Sequence, residues 1–256
     1  MSFPHYSGKQ RFPRIFGASD VFSLRGKDVK DRLRGATSAV VCFQSSLLKY
    51  LSGTVGGRKA HGFSGRVVVL KKAGHPIVLA QSPGIGAPAV AMLLEELAAC
   101  GVRRCIAAGV AGSLQASIAA GDYIVPTQAI RDEGTSHHYL PAEAPASPSD
   151  ELLRRLTSAF DRRNKKYMSG KIWTTDAPYR ETAEEIARYE KEGLLAVDME
   201  MSAFLSVCSA LEMEAACALV AADSLAGGIW HAPADIRKVN SSLEQLGDAA
   251  IEALLV

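Results

Sequence analysis

Short apolar runs alternate along the chain with longer stretches in which apolar residues recur at helical spacing. The apolar runs predict strands at residues 39–43, 66–70, 77–81, 104–108, 123–126, 171–174, 194–197 and 215–221. The helical spacing predicts helices at residues 88–100, 150–163, 181–191, 199–211 and 241–255. This alternation predicts an α/β protein, a three-layer α/β/α sandwich around a central mixed sheet.

The same pattern indicates how the chain is divided. Residues 66–70 and 77–81 flank a turn that contains Gly74, which predicts an antiparallel hairpin inside the sheet. Residues 1–34 lack such periodicity, and we expect them to form an N-terminal arm and lead-in. No repeat and no change in composition divides the remaining residues, so we expect 35–256 to form a single domain.

Composition and charge argue against several kinds of partner. The 256 residues have a net charge of +2, which gives no electrostatic reason to expect a nucleic acid or a membrane surface. No apolar run approaches the roughly 20 residues of a membrane span, and the N-terminus lacks the apolar core of a secretory signal. The 5 cysteines form no CxxC pair and most lie in apolar segments, which predicts reduced core residues and a cytoplasmic protein.

Two segments with glycines follow predicted strands. Gly84 and Gly86 precede a predicted helix, where close backbone approach and the helix N-terminus favour an anionic ligand. Gly109 and Val110 follow another strand, at the edge where open α/β sheets bind ligands. A tight turn and a plain glycine-rich connection are the simpler local explanations. A dinucleotide site would need a third glycine where Ala89 stands, so a dehydrogenase is a weak alternative.

Two acidic residues stand out because of their apolar surroundings. Glu200 begins an apolar stripe at helical spacing, which puts its carboxylate on the core-facing side of the first turn of a predicted helix. An inward carboxylate without a partner is costly, which favours a functional role over simple stabilisation of the helix terminus. Asp223 follows the apolar strand at 215–221, where it could be a proton donor or the N-cap of the next element.

Taken together and in this order, these segments resemble the nucleoside phosphorylase family. The stretch GIGAPAVAMLLEELAACGVRRCIAAGVAGSLQASIAAGDYIVPTQAIRDEGTSHHY is similar to the branch that contains uridine phosphorylases and hexameric purine nucleoside phosphorylases. The segment VDMEMSAF is similar to the start of that branch's ribose-binding helix, and WTTDAPYRE to its base-site loop. The resemblance runs from about Gly35 to the C-terminus and implies the fold of that family.

The resemblance implies an enzyme, a pentosyltransferase or a nucleosidase, that cleaves the N-glycosidic bond of a nucleoside. Met199 would pack under the ribose, and Glu200 would bind its hydroxyls close to the positive charge of the oxocarbenium ion. Asp223 would give a proton to the leaving base, as an aspartate does in the purine branch, so we expect a purine nucleoside. Tyr179 would stack on the base and Arg180 would contact its polar edge, although Tyr179 could equally be a core residue.

The N-terminal arm adds an expectation about assembly. His5 resembles the histidine that family members extend to the ribose 5′-hydroxyl in a neighbouring subunit. We therefore expect a homo-oligomer built from dimers, up to a hexamer, with each site near a subunit boundary. The adjacent His137 and His138 have no third ligand at a suitable spacing, so we expect no metal site.

The residues that bind phosphate in the family are replaced here. The family's Gly-Asp-Pro-x-Arg turn corresponds to CFQSSL at residues 42–47, a second arginine corresponds to Ala107, and a hydroxyl to Val110. Because a phosphate dianion needs such donors, phosphate is only a possible co-substrate, and we expect no cofactor. Arg58 or Arg66 could substitute for an arginine from a neighbouring subunit, and the helix N-terminus described above could hold phosphate weakly.

Hydrolytic members of the family also lack these arginines, but they activate water with a glutamate that has no counterpart among Gln44, Ser45 and Ser46. Three functions therefore stay open: phosphorolysis, hydrolysis, and binding of a nucleoside or base without turnover. If the protein catalyses cleavage, we expect slow hydrolysis, because the residues that stabilise the ribosyl cation are present and those that hold phosphate are missing.

Overall fold

The computed structural model describes residues 3–6, 8–25, 33–55, 57–72, 74–233 and 235–255. The strands in these ranges are β1 (Ser38–Cys42), β2 (Arg58–Ala60), β3 (Arg66–Lys72), β4 (His75–Gln81), β5 (Arg104–Ser113), β6 (Tyr123–Asp132), β7 (Tyr167–Thr175), β8 (Ala196–Asp198) and β9 (Glu214–Ser224). The α-helices are α1 (Ala18–Arg25), α2 (Ser45–Val55), α3 (Ala87–Ala99), α4 (Asp150–Arg162), α5 (Ala183–Lys191), α6 (Met201–Ala210) and α7 (Ile236–Leu255).

The strands form one mixed sheet in the order β2-β3-β4-β1-β5-β8-β7-β6-β9. Strands β1, β4, β5 and β9 run parallel to one another, whereas β2–β3, β3–β4, β5–β8 and β6–β9 are antiparallel pairs. The predicted hairpin is the β3–β4 pair. Because β5 also pairs with β9, the strands β5, β8, β7, β6 and β9 close into a ring.

Alternation of side chains along the strands produces two apolar layers, one on each face of the sheet. Ala39 and Val41 of β1 belong to the layer that contains α3 and α6, whereas Val40 and Cys42 belong to the layer with α2, α4 and α7. All four side chains are fully buried. The three-layer α/β/α arrangement predicted from the sequence is confirmed.

Several strands extend beyond their predicted bounds. β5 continues through Gly109 and Val110, so these two residues, expected in a connecting loop, belong to a strand. Tertiary structure explains this extension of β5, because the backbone there pairs with β9 and, at Gly112 and Ser113, with β8. Glycine has a low intrinsic preference for strands, so the local sequence indicates a connection instead. β6 and β7 are longer than predicted for the same reason, since they pair with each other along their whole lengths.

α1, α2 and β2 have no counterpart among the predicted elements. In α2, the buried Leu47, Leu48 and Leu51 recur at helical spacing, and this spacing could have predicted the helix from the sequence. In α1, Phe22 packs against Phe63 with ring centroids 5.5 Å apart, so the lead-in contributes to the core. Across the described ranges, the helices are all too short or too polar to cross a membrane.

Candidate active site

A cleft of ≈ 950 Å³ opens at the carboxyl ends of the parallel strands β1, β4, β5 and β9. This is the edge at which parallel strands of α/β proteins bind ligands. The lining comes from residues 43–44, 81–85, 110–112 and 197–201, and from parts of the segments 178–186 and 223–230. The cleft therefore collects side chains from segments that are far apart in the sequence.

Asp198, the last residue of β8, fixes the start of α6. Its Oδ2 accepts hydrogen bonds from the backbone N–H groups of Glu200 at 2.9 Å and Met201 at 2.7 Å, donors that a helix terminus otherwise leaves free. Its Oδ1 accepts a hydrogen bond from the hydroxyl of Thr174 at 2.6 Å. Burial raises the pKa of Asp198 to about 6, and these hydrogen bonds oppose the shift because they favour the charged form.

A second buried carboxylate supports this cap. Thr174 Oγ1 accepts a hydrogen bond from the backbone N–H of Ser202 at 3.0 Å, and the Ser202 hydroxyl donates to Glu133 Oε1 at 2.9 Å. Glu133 Oε2 accepts a hydrogen bond from the backbone N–H of Ser136 at 2.9 Å. All of these side chains are buried. Sequence reasoning missed Thr174 and Glu133. The available signal for Thr174 was a polar residue at the end of an apolar strand, whereas Glu133 follows the polar residues Arg131 and Asp132 and had no such signal.

Glu200 is the N-cap of α6, so it lies just before the helix. The pattern at 199–211 instead predicts that Glu200 lies within the first turn. Its side chain still points into the protein, with 9% of its surface exposed, and Oε1 accepts a hydrogen bond from the backbone N–H of Gly86 at 2.6 Å. Gly86 is the N-cap of α3, and its φ of 95° is one that glycine adopts without strain. Glu200 thus joins the N-termini of two helices.

The environment of Glu200 favours its neutral form. Burial, and then the charge of Asp198, raise the pKa of Glu200 to about 7, although hydrogen bonds from the backbone of Gly86 and Met199 lower it. The bond from Gly86 also corrects an expectation from the sequence. The helix N-terminus that could, from the sequence, hold phosphate weakly donates its Gly86 N–H to a carboxylate of the protein itself, and an external anion would compete with Glu200 for this donor.

Asp223 lies near the end of β9 and does not cap a helix. Its Oδ2 accepts a hydrogen bond from the indole N–H of Trp230 at 2.7 Å. Gly112 pairs with Asp223 across the sheet, and a Cβ at Gly112 would lie 3.2 Å from Asp223 Oδ1 and 2.5 Å from Leu225 Cδ1. The absence of a side chain at Gly112 therefore leaves room for Asp223 and Leu225.

Glu181 is a site residue that sequence reasoning missed. It lines the cleft just before α5 and is half-buried. Burial, and then the charges of Asp223 and Glu185, raise the pKa of Glu181 to about 7. Two carboxyl groups from separate segments therefore share the part of the cleft next to Trp230. Their proximity comes from the packing of the Ala226–Gly228 turn against α5, which no local pattern records.

The charge of the cleft follows from its acids. The described lining residues include no Lys, Arg or His, and those that carry carboxyl groups are Glu181, Asp198, Glu200 and Asp223. Arg58 and Arg66, suggested as phosphate ligands, are exposed on β2 and β3 and do not line the cleft. Gln44 and Gln81 line it instead, and the amide oxygen of each is buried without a hydrogen-bond partner among the described residues.

The structure brings most of the predicted site residues together. Those that line the cleft are Met199, Glu200, Asp223, Tyr179, Gly84 and Val110. Those that lie outside the lining are His5, Arg180, Gly86 and Gly109. Tyr179 is 99% exposed, which excludes the core role considered for it, and both His5 and Arg180 are exposed as well. Gly109 lies behind the lining, where a Cβ would approach the Phe43 ring to 2.9 Å.

Comparisons with known proteins agree with this arrangement. A family model described as "Phosphorylase superfamily" matches residues 39–255. A guanosine phosphorylase from Halorubrum lacusprofundi is 38% identical over 119 residues, which are 46% of this chain and 49% of that protein. A uridine phosphorylase from Haemophilus influenzae is 31% identical over 156 residues, which are 56% of this chain and 62% of that protein.

A solved structure is similar over a longer stretch. The crystal structure of uridine phosphorylase from Vibrio fischeri ES114 has a TM-score of 0.78 and 25% sequence identity. The match covers 88% of this chain and 94% of that chain. By sequence alone, the chain spans about half the length of the Halorubrum relative, at 49%, and 62% of the Haemophilus one.

We predict that Glu200 makes the protein less stable as the pH rises. A carboxyl group with a higher pKa in the folded state binds its proton more tightly when folded, so its stabilising contribution is lost as the pH rises from 4.5 through about 7. A shift of this size corresponds to roughly 3 kcal/mol at full effect. The free energy of unfolding, measured in urea across this pH range, should fall more steeply for the wild type than for Glu200→Gln.

Glu184→Gln is the matched control, because Glu184 is exposed in the first turn of α5 and should leave the wild-type slope unchanged. Equal pH dependence in the wild type and in Glu200→Gln would contradict the assignment of Glu200 as a buried proton-binding group.

Proposed function

Since this chain belongs to the phosphorylase superfamily, we propose that it cleaves the N-glycosidic bond of a nucleoside. The observation that carries the proposal is the cleft, which combines the buried acid Glu200 with further acidic groups at Asp223 and Glu181. The guanosine and uridine phosphorylases that it resembles act, by their names, on nucleosides. A volume of ≈ 950 Å³ is sufficient for such a ligand.

Glu200 and Met199 supply the ribose side of the proposed site. Breaking the bond between C1′ and the base leaves positive charge on the ribosyl ring, which the ionised Glu200 stabilises. The hydrogen bond from Gly86 holds this carboxylate in place before a ligand binds. Met199 is adjacent in the cleft lining, and its thioether side chain packs under the sugar in this proposal.

Asp223 and Tyr179 supply the base side. We propose a purine as the base, because an acidic group close to the leaving base can protonate a purine ring nitrogen as the bond breaks. Tyr179 lines the cleft with almost all of its side chain exposed, so its ring face is free for stacking. Arg180 does not line the cleft, so the proposed base site does not include it.

We propose water as the nucleophile. A phosphate dianion in this cleft would face four carboxyl groups without a cationic partner among the described lining residues. The N-terminus of α3 does not compensate for this, because its Gly86 N–H already donates to Glu200. Water is neutral and avoids this repulsion. Phosphorolysis and binding without turnover are the alternatives that the experiments below separate.

The first prediction is that Glu200→Gln abolishes measurable turnover while the fold is retained. Glutamine preserves the size of the side chain and an acceptor for the Gly86 N–H, but it removes the negative charge beside the ribosyl cation. Loss of one such electrostatic contact costs about 10²–10³ in rate. Release of free base from a panel of nucleosides measures the effect, and circular dichroism checks the fold. Turnover at the wild-type rate would make Glu200 a structural residue.

The second prediction is that phosphate has little effect on turnover. NMR of the products over a phosphate titration should show free ribose, with no ribose 1-phosphate at low phosphate. Saturable formation of ribose 1-phosphate would instead establish phosphorolysis and would require anion ligands from outside this cleft lining. Tight binding of a nucleoside without release of base would favour the non-catalytic alternative.

The third prediction concerns assembly. We propose a homo-oligomer built from dimers, in which the N-terminal arm of one copy contacts another. The arm residues Phe12, Ile15 and Phe16 are 60%, 101% and 69% exposed, and a cluster of exposed apolar side chains favours a protein partner. Light scattering at micromolar concentration should give at least the mass of a dimer, and a monomer would contradict the proposal. The cytoplasmic location expected from the sequence stays a prediction.

A further inference from the structure

The Glu181 carboxyl group lines the cleft without a hydrogen bond or salt bridge to any described residue. The backbone next to it is fixed, because Thr182 begins α5 with a capping box that includes Glu185. The Glu185 carboxylate is used within that box, where it accepts hydrogen bonds from the N–H and the hydroxyl of Thr182 at 3.2 Å each. Glu181 is therefore positioned at the cleft wall with its own carboxyl group available to a ligand.

Asp223, the neighbouring acid, is already engaged. Its Oδ2 accepts a hydrogen bond from the indole N–H of Trp230 at 2.7 Å. Its Oδ1 faces the space left by the missing side chain of Gly112. Glu181 accepts no hydrogen bond from a described donor, whereas Asp223 accepts one from Trp230, so Glu181 is the acid of this pair whose proton is available to a ligand. Burial and the charge of Asp223 accordingly raise the pKa of Glu181 to about 7.

We infer that Glu181 donates the proton to the leaving base, and that the ionised Asp223 is the partner that retains this proton on Glu181. The inference rests on the proposed cleavage of a nucleoside. It moves the role of proton donor from Asp223, to which the family resemblance assigns it, to Glu181, the last residue of the WTTDAPYRE segment, to which the resemblance gives no role.

In the proposed cleavage, Glu181 gives one proton to the base and later regains one. The C1′–N bond breaks and its electron pair stays on the base, while the Glu181 O–H proton moves to a ring nitrogen so that the base leaves as a neutral molecule. Water adds to C1′, and the proton that this water loses returns through solvent to Glu181. Nucleoside and water thus give ribose and free base.

The pH dependence follows from the surrounding charges. The charges that act on the Glu181 carboxyl are those of Asp223 on β9 and Glu185 on α5, both acidic, and the cleft lining adds Asp198 and Glu200. Raising the pH through about 7 removes the Glu181 proton, so kcat/KM falls. Glu200 must be ionised, and its pKa of about 7 gives the rising limb at lower pH. The profile is therefore bell-shaped, and its falling limb belongs to Glu181.

The test compares two nucleosides that differ in their need for a proton. The base of guanosine must gain a proton to leave as a neutral molecule, whereas 7-methylguanosine carries a positive charge on its base and needs none. Glu181→Gln should lower kcat/KM for guanosine by about 10² or more and remove the falling limb of the pH profile. It should leave cleavage of 7-methylguanosine close to the wild-type rate. The control Glu184→Gln, an exposed residue of α5, should change neither substrate.

A second measurement does not depend on turnover. Carbon-13 NMR of the carboxyl groups follows the titration of Glu181 directly in the wild type and in Asp223→Asn. The pKa of Glu181 should move down from about 7 in the variant, because the charge of Asp223 is gone.

Each outcome decides between roles. Equal losses on both nucleosides in Glu181→Gln would make Glu181 a binding or structural residue and overturn the inference. Selective loss of guanosine cleavage in Asp223→Asn, but not in Glu181→Gln, would assign the role of proton donor to Asp223. If the wild type cleaves neither nucleoside while the NMR titration shows the coupled pair, the placement of the proton holds and the proposed function fails.

Discussion

The hydrogen bond of 2.6 Å from the Gly86 N–H to Glu200 Oε1 joins the N-termini of α3 and α6 across a buried carboxyl group. A buried carboxylate is costly unless donors compensate it, and a helix N-terminus supplies both free N–H groups and partial positive charge. Asp198 uses the N-terminus of α6 in the same way. The positions of both helices relative to β4 and β8 are therefore set by charge compensation as well as by apolar packing.

This internal compensation determines the chemistry of the cleft. Backbone donors compensate Asp198 and Glu200, and the described lining carries no cationic side chain. Burial and neighbouring acidic charges raise the pKa values of Glu200 and Glu181 to about 7. Carboxyl groups in that range can stabilise a cation or transfer a proton at neutral pH. The same arrangement disfavours an anion, because the Gly86 N–H at the α3 terminus already donates to Glu200 and the described lining has no cationic side chain.

Residues that support the site were hard to recognise for a physical reason. Their hydrogen bonds join Thr174 to Asp198, Glu133 to Ser202 and Trp230 to Asp223, which lie 24, 69 and 7 positions apart in the chain. Glu181 gains its raised pKa from burial and from Asp223 on another strand. Periodicity reports which face of an element is apolar, but it does not report which polar groups meet across elements.

The sequence by itself determined the layers, the hairpin and the cleft residues Glu200 and Asp223, because apolar spacing and the end of an apolar strand are local properties, whereas Met199 was expected only from the family resemblance. Only the tertiary structure decided that β5 continues through Gly109, since strand pairing overrides the low strand preference of glycine. It also decided that the α3 terminus serves Glu200 and that Glu181 lies beside Asp223. Hydrogen bonds and charge interactions depend on distances in space, which the packing of remote segments sets.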